Sequence, residues 1–218
     1  MNEFSLIQQL VIWVPPVLFA VTLHEVAHGW VARGLGDRTA EMSGRLSLNP
    51  LRHIDPIGTV LLPGLLFMMG GFIFGWAKPV PVIWSNLKHP RRDMALVALA
   101  GPFANLLMLL GWIGAAKFGQ AMGAEMKFFS EPLIYMGFAG IIINTGLMVL
   151  NLLPLPPLDG SRVVSALLPW PLARWYAQLE PYGLLILMLL LISGLLSKLF
   201  GPVLTVVVEQ FTRYILGA

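Results

Sequence analysis

At 218 residues, 57% hydrophobic and only 11% charged, with a mean hydropathy of +0.77, the chain lacks the composition of an ordinary soluble domain. Its formal charge of +3 comes from basic residues scattered among short loops, which argues against nucleic acid and suits loops beside anionic lipid. There is no cysteine, so disulfides and thiolate metal sites are excluded, and any zinc must be held by His and carboxylate ligands.

The Met1-Asn2-Glu3-Phe4 start has neither the basic residues nor the small-residue cleavage site of a signal peptide, so the first apolar segment is expected to stay in the mature protein. That segment runs from Leu10 to Ala32. It predicts a helix from Val14 or Pro16 to Arg33, with Pro15-Pro16 in the first turn and Gly34 and Gly36 as its stop. Inside it lies His24-Glu25-Val26-Ala27-His28. Residues four apart share a helix face, so His24 and His28 present two imidazoles to one point, and Glu25 projects toward the same place. This is the HExxH arrangement: two nitrogen ligands for zinc, and a carboxylate placed to handle a water. Three ionisable groups within five residues of an apolar span are costly unless they are used, which weighs against two idle polar side chains.

Residues 37–56 are polar. Met42, Gly44, Leu46 and Leu48 alternate with Ser43, Arg45 and Ser47, a period of two that predicts a short strand ending at Asn49-Pro50. Ile57 to Trp76 is uncharged and long enough to span, but its prolines and glycines make it irregular. Ala77-Lys78-Pro79-Val80-Pro81-Val82 must be extended, and paired with 42–48 it would form a small sheet or loop layer at the membrane surface. Further spans are expected from Asp93 to Lys117 and from Glu131 to Asn151. Prolines at 154, 156 and 157 then break the backbone, which at membrane depth is tolerated only inside protein or along a cavity. Ser161 to Leu168 reads as a short helix and Pro181 to Phe200 as a clear span. Gly201-Pro202 breaks the chain before a last helix or interfacial segment, 203–216. With no internal repeat, this predicts an all-α polytopic membrane protein of one domain, residues 1–218, with its core in 10–168 and C-terminal helices in 169–218. About five to six transmembrane or re-entrant helices are expected, with a small β or extended element at the surface. Basic residues crowd both 33–56 and 77–93, and a re-entrant 57–76 would put both loops in the cytoplasm.

A catalytic zinc wants three protein ligands and one open position. Asp37, Glu41, Asp55 and Asp93 sit in charged loops where a solvated role is expected; Glu125, Glu131 and Glu180 border spans. Asp159 differs in standing among apolar residues and Gly160 in the broken segment, where it either caps the 161–168 helix or faces the site. His24-Glu25-x-x-His28, then Gly101-Pro102-x-x-Asn105, then Asn151-x-x-Pro154-x-Pro156-x-Leu158-Asp159-Gly160 resembles, in order and spacing, the site-2 protease family of intramembrane zinc metalloproteases. The Lys78-Pro79-Val80-Pro81-Val82 stretch is similar to a segment of that family's compact members, and the likeness covers residues 10–168.

The resemblance implies one Zn2+ per chain held by His24, His28 and Asp159, with Glu25 as general base. Asn151 would hold substrate backbone or the oxyanion. Asn105 would be either catalytic or a buried tie between helices, His53 would either line the site mouth or hold a surface or structural place, and Lys78, Pro79 and Val80 would line the substrate path. Independently of the resemblance, an extended edge at 42–48 or 79–83 would either capture an unwound substrate by β-addition or serve as a plain loop plug against lipid. Against the family's larger members, this sequence is expected to lack a span before the HExxH helix and a PDZ or nucleotide-sensing domain. The implied activity is hydrolysis of peptide bonds in or near transmembrane segments of other membrane proteins. The partners are that substrate and the bilayer, in a prokaryotic plasma (inner) membrane, with the active site toward the cytoplasm. The alternative is a metal-ion or proton transporter using the same His, Glu and Asp groups.

Overall fold

The computed structural model describes residues 4–61, 65 and 77–216. The chain opens with α1 (Leu6–Gly34), longer than the sequence pattern suggests. Its true start is a capping box: the Ser5 hydroxyl accepts from Gln8 N–H, and the Gln8 side chain accepts from Ser5 N–H. Pro15 and Pro16 therefore lie inside the helix, as membrane helices allow. A short α2 (Thr39–Met42) follows, and later α3 (Pro90–Ala121) and α4 (Lys127–Asn151). Among the described residues α1, α3 and α4 are the helices individually long and apolar enough to cross a membrane. They pack on one another, and α3 and α4 share a core of Leu109, Ile113, Ala116 and Ile141, with Trp112 and Phe138 alongside.

The C-terminal part consists of α5 (Asp159–Leu167), α6 (Trp170–Ala177), α7 (Glu180–Ile192) and α8 (Leu195–Leu216). The α6–α7 pair is apolar enough for a span but bends by 62°. Among the described residues the candidate spans number three, or four if the bent pair counts as one, so the expected five to six find no support there. One cause is the expected span 181–200, which divides at Gly194, whose φ of +71° ends a helix as a non-glycine residue rarely can. Conversely, α8 runs through Pro202, where a break was expected. Most of the expected segment 57–76 lies outside the described residues; its first part, Pro56–Leu61, is a turn of π-helix.

The expected β element is also corrected, because no strand occurs among the described residues. Met42 ends α2, and Gly44 turns the chain with φ +66°. Arg45 then uses its guanidinium on the carbonyls of Arg52, Lys78 (2.8 Å) and Pro79 (3.3 Å). A side-chain bridge takes the place of a ladder. Residues 77–83 are extended as their prolines require, but the N–H groups of Val80 and Ile83 go to the carboxylates of Glu25 and Asp37. The segment is a strap across α1.

Candidate metal centre

His24 and His28 sit one turn apart on α1, with their ring centroids 4.7 Å apart. Asp159 reaches them from the start of α5. Leu158 occupies the N-cap of that helix and Asp159 its first helical position, so the carboxylate is not consumed as a cap. Gly160 makes this placement possible: a Cβ there would lie 2.3 Å from the Leu152 carbonyl oxygen, and only glycine lets the proline-broken turn close. The ligand atoms of His24, His28 and Asp159 all fall within 4.8 Å of one another, a group that could hold a metal ion.

Hydrogen bonding fixes which ring atoms face the centre. His28 Nδ1 lies 2.7 Å from the Val97 carbonyl, which can only accept, and His24 Nδ1 lies 2.6 Å from Asn105 Oδ1. Both Nδ1 atoms are therefore donors, and in neutral imidazoles both Nε2 atoms are lone pairs. Those lone pairs face each other at 3.1 Å and face Asp159 Oδ2 at 3.3 and 3.4 Å. Asp159 Oδ2 is buried without a hydrogen-bond donor. Three acceptors meeting away from water repel one another unless a cation lies among them. Two imidazole nitrogens and one carboxylate oxygen, with each imidazole oriented by an outer acceptor, are a donor set that suits zinc.

Glu25 is half-buried beside this cluster, and its Oε2 accepts from Val80 N–H at 2.8 Å. Asn105, fully buried on α3, meets His24 directly, and its amide also donates to the Ala20 carbonyl. It is a tie between α1 and α3 that ends on a cluster residue. Asn151 ends α4, and its amide donates to the Leu147 carbonyl of its own helix at 3.0 Å, not to the cluster. His53 is buried against α1 near Val17, Leu18 and Val21; its Nε2 donates to the Ser47 carbonyl and its own carbonyl accepts from Lys78 N–H. It braces the strap. Lys78 and Pro79 are exposed, with their carbonyls held by Arg45, whereas Val80 is buried.

Two acids expected to be solvated are buried instead. Asp93 accepts from His89 N–H at the start of α3. Asp37 receives the N–H of Thr39 and Ile83, the Thr39 hydroxyl and the Asn86 amide, pinning the far end of the strap to the chain just after α1. Burial pushes its carboxyl up, but those hydrogen bonds outweigh it and hold the pKa below the ordinary carboxylate value. Sequence reasoning also passed over Asn144, fully buried on α4 and bonded to Asn105. The available signal was a lone amide within an apolar span.

The chain is 39% identical over 201 residues to "Putative zinc metalloprotease YwhC" of Bacillus subtilis, across 92% of this chain and 87% of that protein. It is 32% identical over 184 residues to "Putative zinc metalloprotease Rip2" of Mycolicibacterium smegmatis, across 84% of this chain and 67% of that one. Rip2 of Mycobacterium tuberculosis is 28% identical over 187 residues. No family model and no solved structure matches the chain.

Proposed function

This chain belongs to the zinc metalloprotease family that contains YwhC and Rip2, and on that premise we propose that it is an intramembrane protease of the site-2 type. It would hydrolyse peptide bonds in or beside transmembrane segments of other membrane proteins. The observation that carries this reading is the position of the cluster: His24 and His28 lie within a helix that is itself long and apolar enough to cross a membrane. Zn2+ is the cofactor, one ion per chain, and His24, His28 and Asp159 are the residues that would hold it. Bound there, zinc supplies a Lewis acid for the scissile carbonyl and acidifies the attacking water.

Glu25 takes a proton from that water as its oxygen bonds to the carbonyl carbon, then delivers it to the amine nitrogen as the C–N bond breaks. Val80 N–H anchors Oε2 and sets the carboxylate's direction. For Asn151 to hold substrate backbone or the oxyanion, its amide must first release Leu147. Of the β-addition expected at two edges, only the strap remains, and it has little to donate: Pro79 and Pro81 have no N–H, and those of Val80 and Ile83 are taken. A substrate strand would therefore pair chiefly with carbonyls there, after displacing Arg45 from Lys78 and Pro79. The basic residues around α2 and the strap favour a cytoplasmic-facing site in a prokaryotic plasma membrane.

The test uses the protein purified in detergent beside Glu25→Gln and Asp159→Ala. The proposal expects near-stoichiometric zinc in parent and Glu25→Gln, cleavage of a model transmembrane substrate by the parent alone, and weakened zinc in Asp159→Ala. Parent-like cleavage by Glu25→Gln sinks the mechanism. Zinc without cleavage of any substrate turns the question to metal flux in liposomes.

A further inference from the structure

The cluster is continued inward by a line of two amides, Asn105 of the Gly101-Pro102-x-x-Asn105 motif and Asn144, which belongs to no motif. The Asn144 side-chain N–H donates to the Gly140 carbonyl at 2.8 Å, one turn back on α4. Asn144 Oδ1 accepts from the Asn105 amide at 2.9 Å, and that amide also reaches the Ala20 carbonyl at 3.3 Å. Asn105 Oδ1 then accepts from His24 Nδ1 at 2.6 Å. Asn105 and Asn144 are both fully buried, so no water competes for these bonds.

The line has one direction. Both of its ends away from the cluster, Gly140 and Ala20, are backbone carbonyls that can only accept. Asn144 must therefore aim its nitrogen at Gly140 and its oxygen at Asn105, and Asn105 must aim its oxygen at His24. Turning Asn105 over would set its oxygen against Asn144 Oδ1 and Ala20 O. It would also point N–H at His24 Nδ1, so that the His24 proton would sit on Nε2, inside the cluster, where no metal could bind.

We infer that Asn144 is a positioning residue, which by orienting Asn105 keeps the His24 proton on Nδ1 and the Nε2 lone pair free for a metal. The inference rests on the reading of His24 as a zinc ligand. Removing the Asn144 acceptor leaves only the longer Ala20 contact to resist the turned-over amide. Asn144→Leu, of similar size but without polar atoms, should weaken zinc binding by about 10- to 100-fold, the range typical of a lost outer partner. Asn144→Asp, protonated in its buried setting, still offers an acceptor to Asn105 and a donor to Gly140, and should bind zinc nearly as the parent does.

The experiment is zinc affinity by chelator competition on the full chain in detergent, for parent, Asn144→Leu, Asn144→Asp and His24→Ala, with thermal midpoints of the metal-free forms. A weak Asn144→Leu beside a parent-like Asn144→Asp supports the inference. Parent-like affinity in Asn144→Leu overturns it. So does an affinity loss that follows the metal-free midpoint in both variants, the mark of a merely structural role. Unchanged zinc in His24→Ala overturns the metal reading itself, a distinguishable failure. Histidine-selective 15N labelling of the metal-free parent reads the same point without any Asn144 variant. With four histidines in the chain, the signal lost in His24→Ala is His24. A proton on Nδ1, whether or not the metal-free ring also carries one on Nε2, supports the inference, and a neutral ring protonated on Nε2 alone overturns it.

Discussion

Gly101 on α3 faces the two imidazoles with no side chain, and adding one methyl group tests the centre's geometry. A Cβ there would stand 2.4 Å from His28 Nε2 and 2.5 Å from His24 Cε1. Ordinary contact begins near 3.4 Å, so 3.4 − 2.4 leaves about 1 Å to be found. The rings cannot simply retreat, because their Nδ1 atoms are bonded to Asn105 and Val97, which lie on α3 itself. Either those bonds break or α3 moves off α1, and overpacking of this kind costs about 1–3 kcal/mol. For a chain of this size that is a drop of roughly 2–12 °C in the thermal midpoint of the metal-free protein. Metal binding suffers more, since ligand distances tolerate only about 0.2 Å. Gly101→Ala is expected to lose zinc affinity by more than about 100-fold and to lose cleavage with it. Gly111→Ala and Gly114→Ala, on the same helix with open space at the Cβ, should keep parent affinity. Isothermal titration or chelator competition in detergent reads the difference. Parent-like zinc affinity in Gly101→Ala would show that the close approach of α3 to the imidazoles is not a feature of the folded protein.

Chelation should destabilise the chain, since the His24, His28 and Asp159 acceptors are left facing one another. If zinc is bound at about a thousand times its dissociation constant, its removal lowers stability by about 4 kcal/mol, visible as a falling thermal midpoint on EDTA addition and recovered with zinc. An unmoved midpoint would argue against a metal at this cluster. Asp37 should make strap docking acid-sensitive. Its folded pKa lies below the unfolded value, so its stabilisation is complete above about pH 4 and is lost as pH falls through the folded value. The gap in thermal midpoint between parent and Asp37→Ala should be constant from neutral pH to about pH 5 and should close in stronger acid; a gap that persists there contradicts the assignment. Asn151→Ala should leave zinc binding intact and slow cleavage, because the Asn151 amide bonds within its own helix and not to the cluster. Loss of zinc in that variant would place Asn151 among the structural supports of the centre instead.

The parts legible in the sequence are those that a single element's period encodes. His24 and His28 share a face because helices repeat every 3.6 residues, and that holds whatever packs against them. Asp159 stood out as an acid among prolines, though only the structure shows Leu158 taking the cap position and leaving the carboxylate for the histidines. The alternation at 42–48 misled, because a period of two reports a strand only when one face is buried by a neighbour. Here Gly44 turns the chain and Arg45 gathers carbonyls from residues 7 to 34 positions away. The early start of α1 is encoded by the Ser5–Gln8 capping box, which the two prolines further along the helix obscure in the sequence pattern.

What stayed hidden depends on pairs of elements. Asn105 finds His24 across 81 positions and Asn144 across 39, distances over which no local pattern carries information. Yet a general expectation does apply to both. An amide inside an apolar helix must bond to something, and helix backbone offers mainly carbonyls, so each Asn is pushed to spend its N–H groups on backbone and turn its oxygen toward a neighbouring donor. In a bundle that also contains two imidazoles, the available donors are few. An isolated Asn on a span beside an HExxH helix is therefore worth testing as an outer partner of a ligand histidine before it is dismissed as a helix tie, and Asn144 is the residue on which that rule stands or falls here.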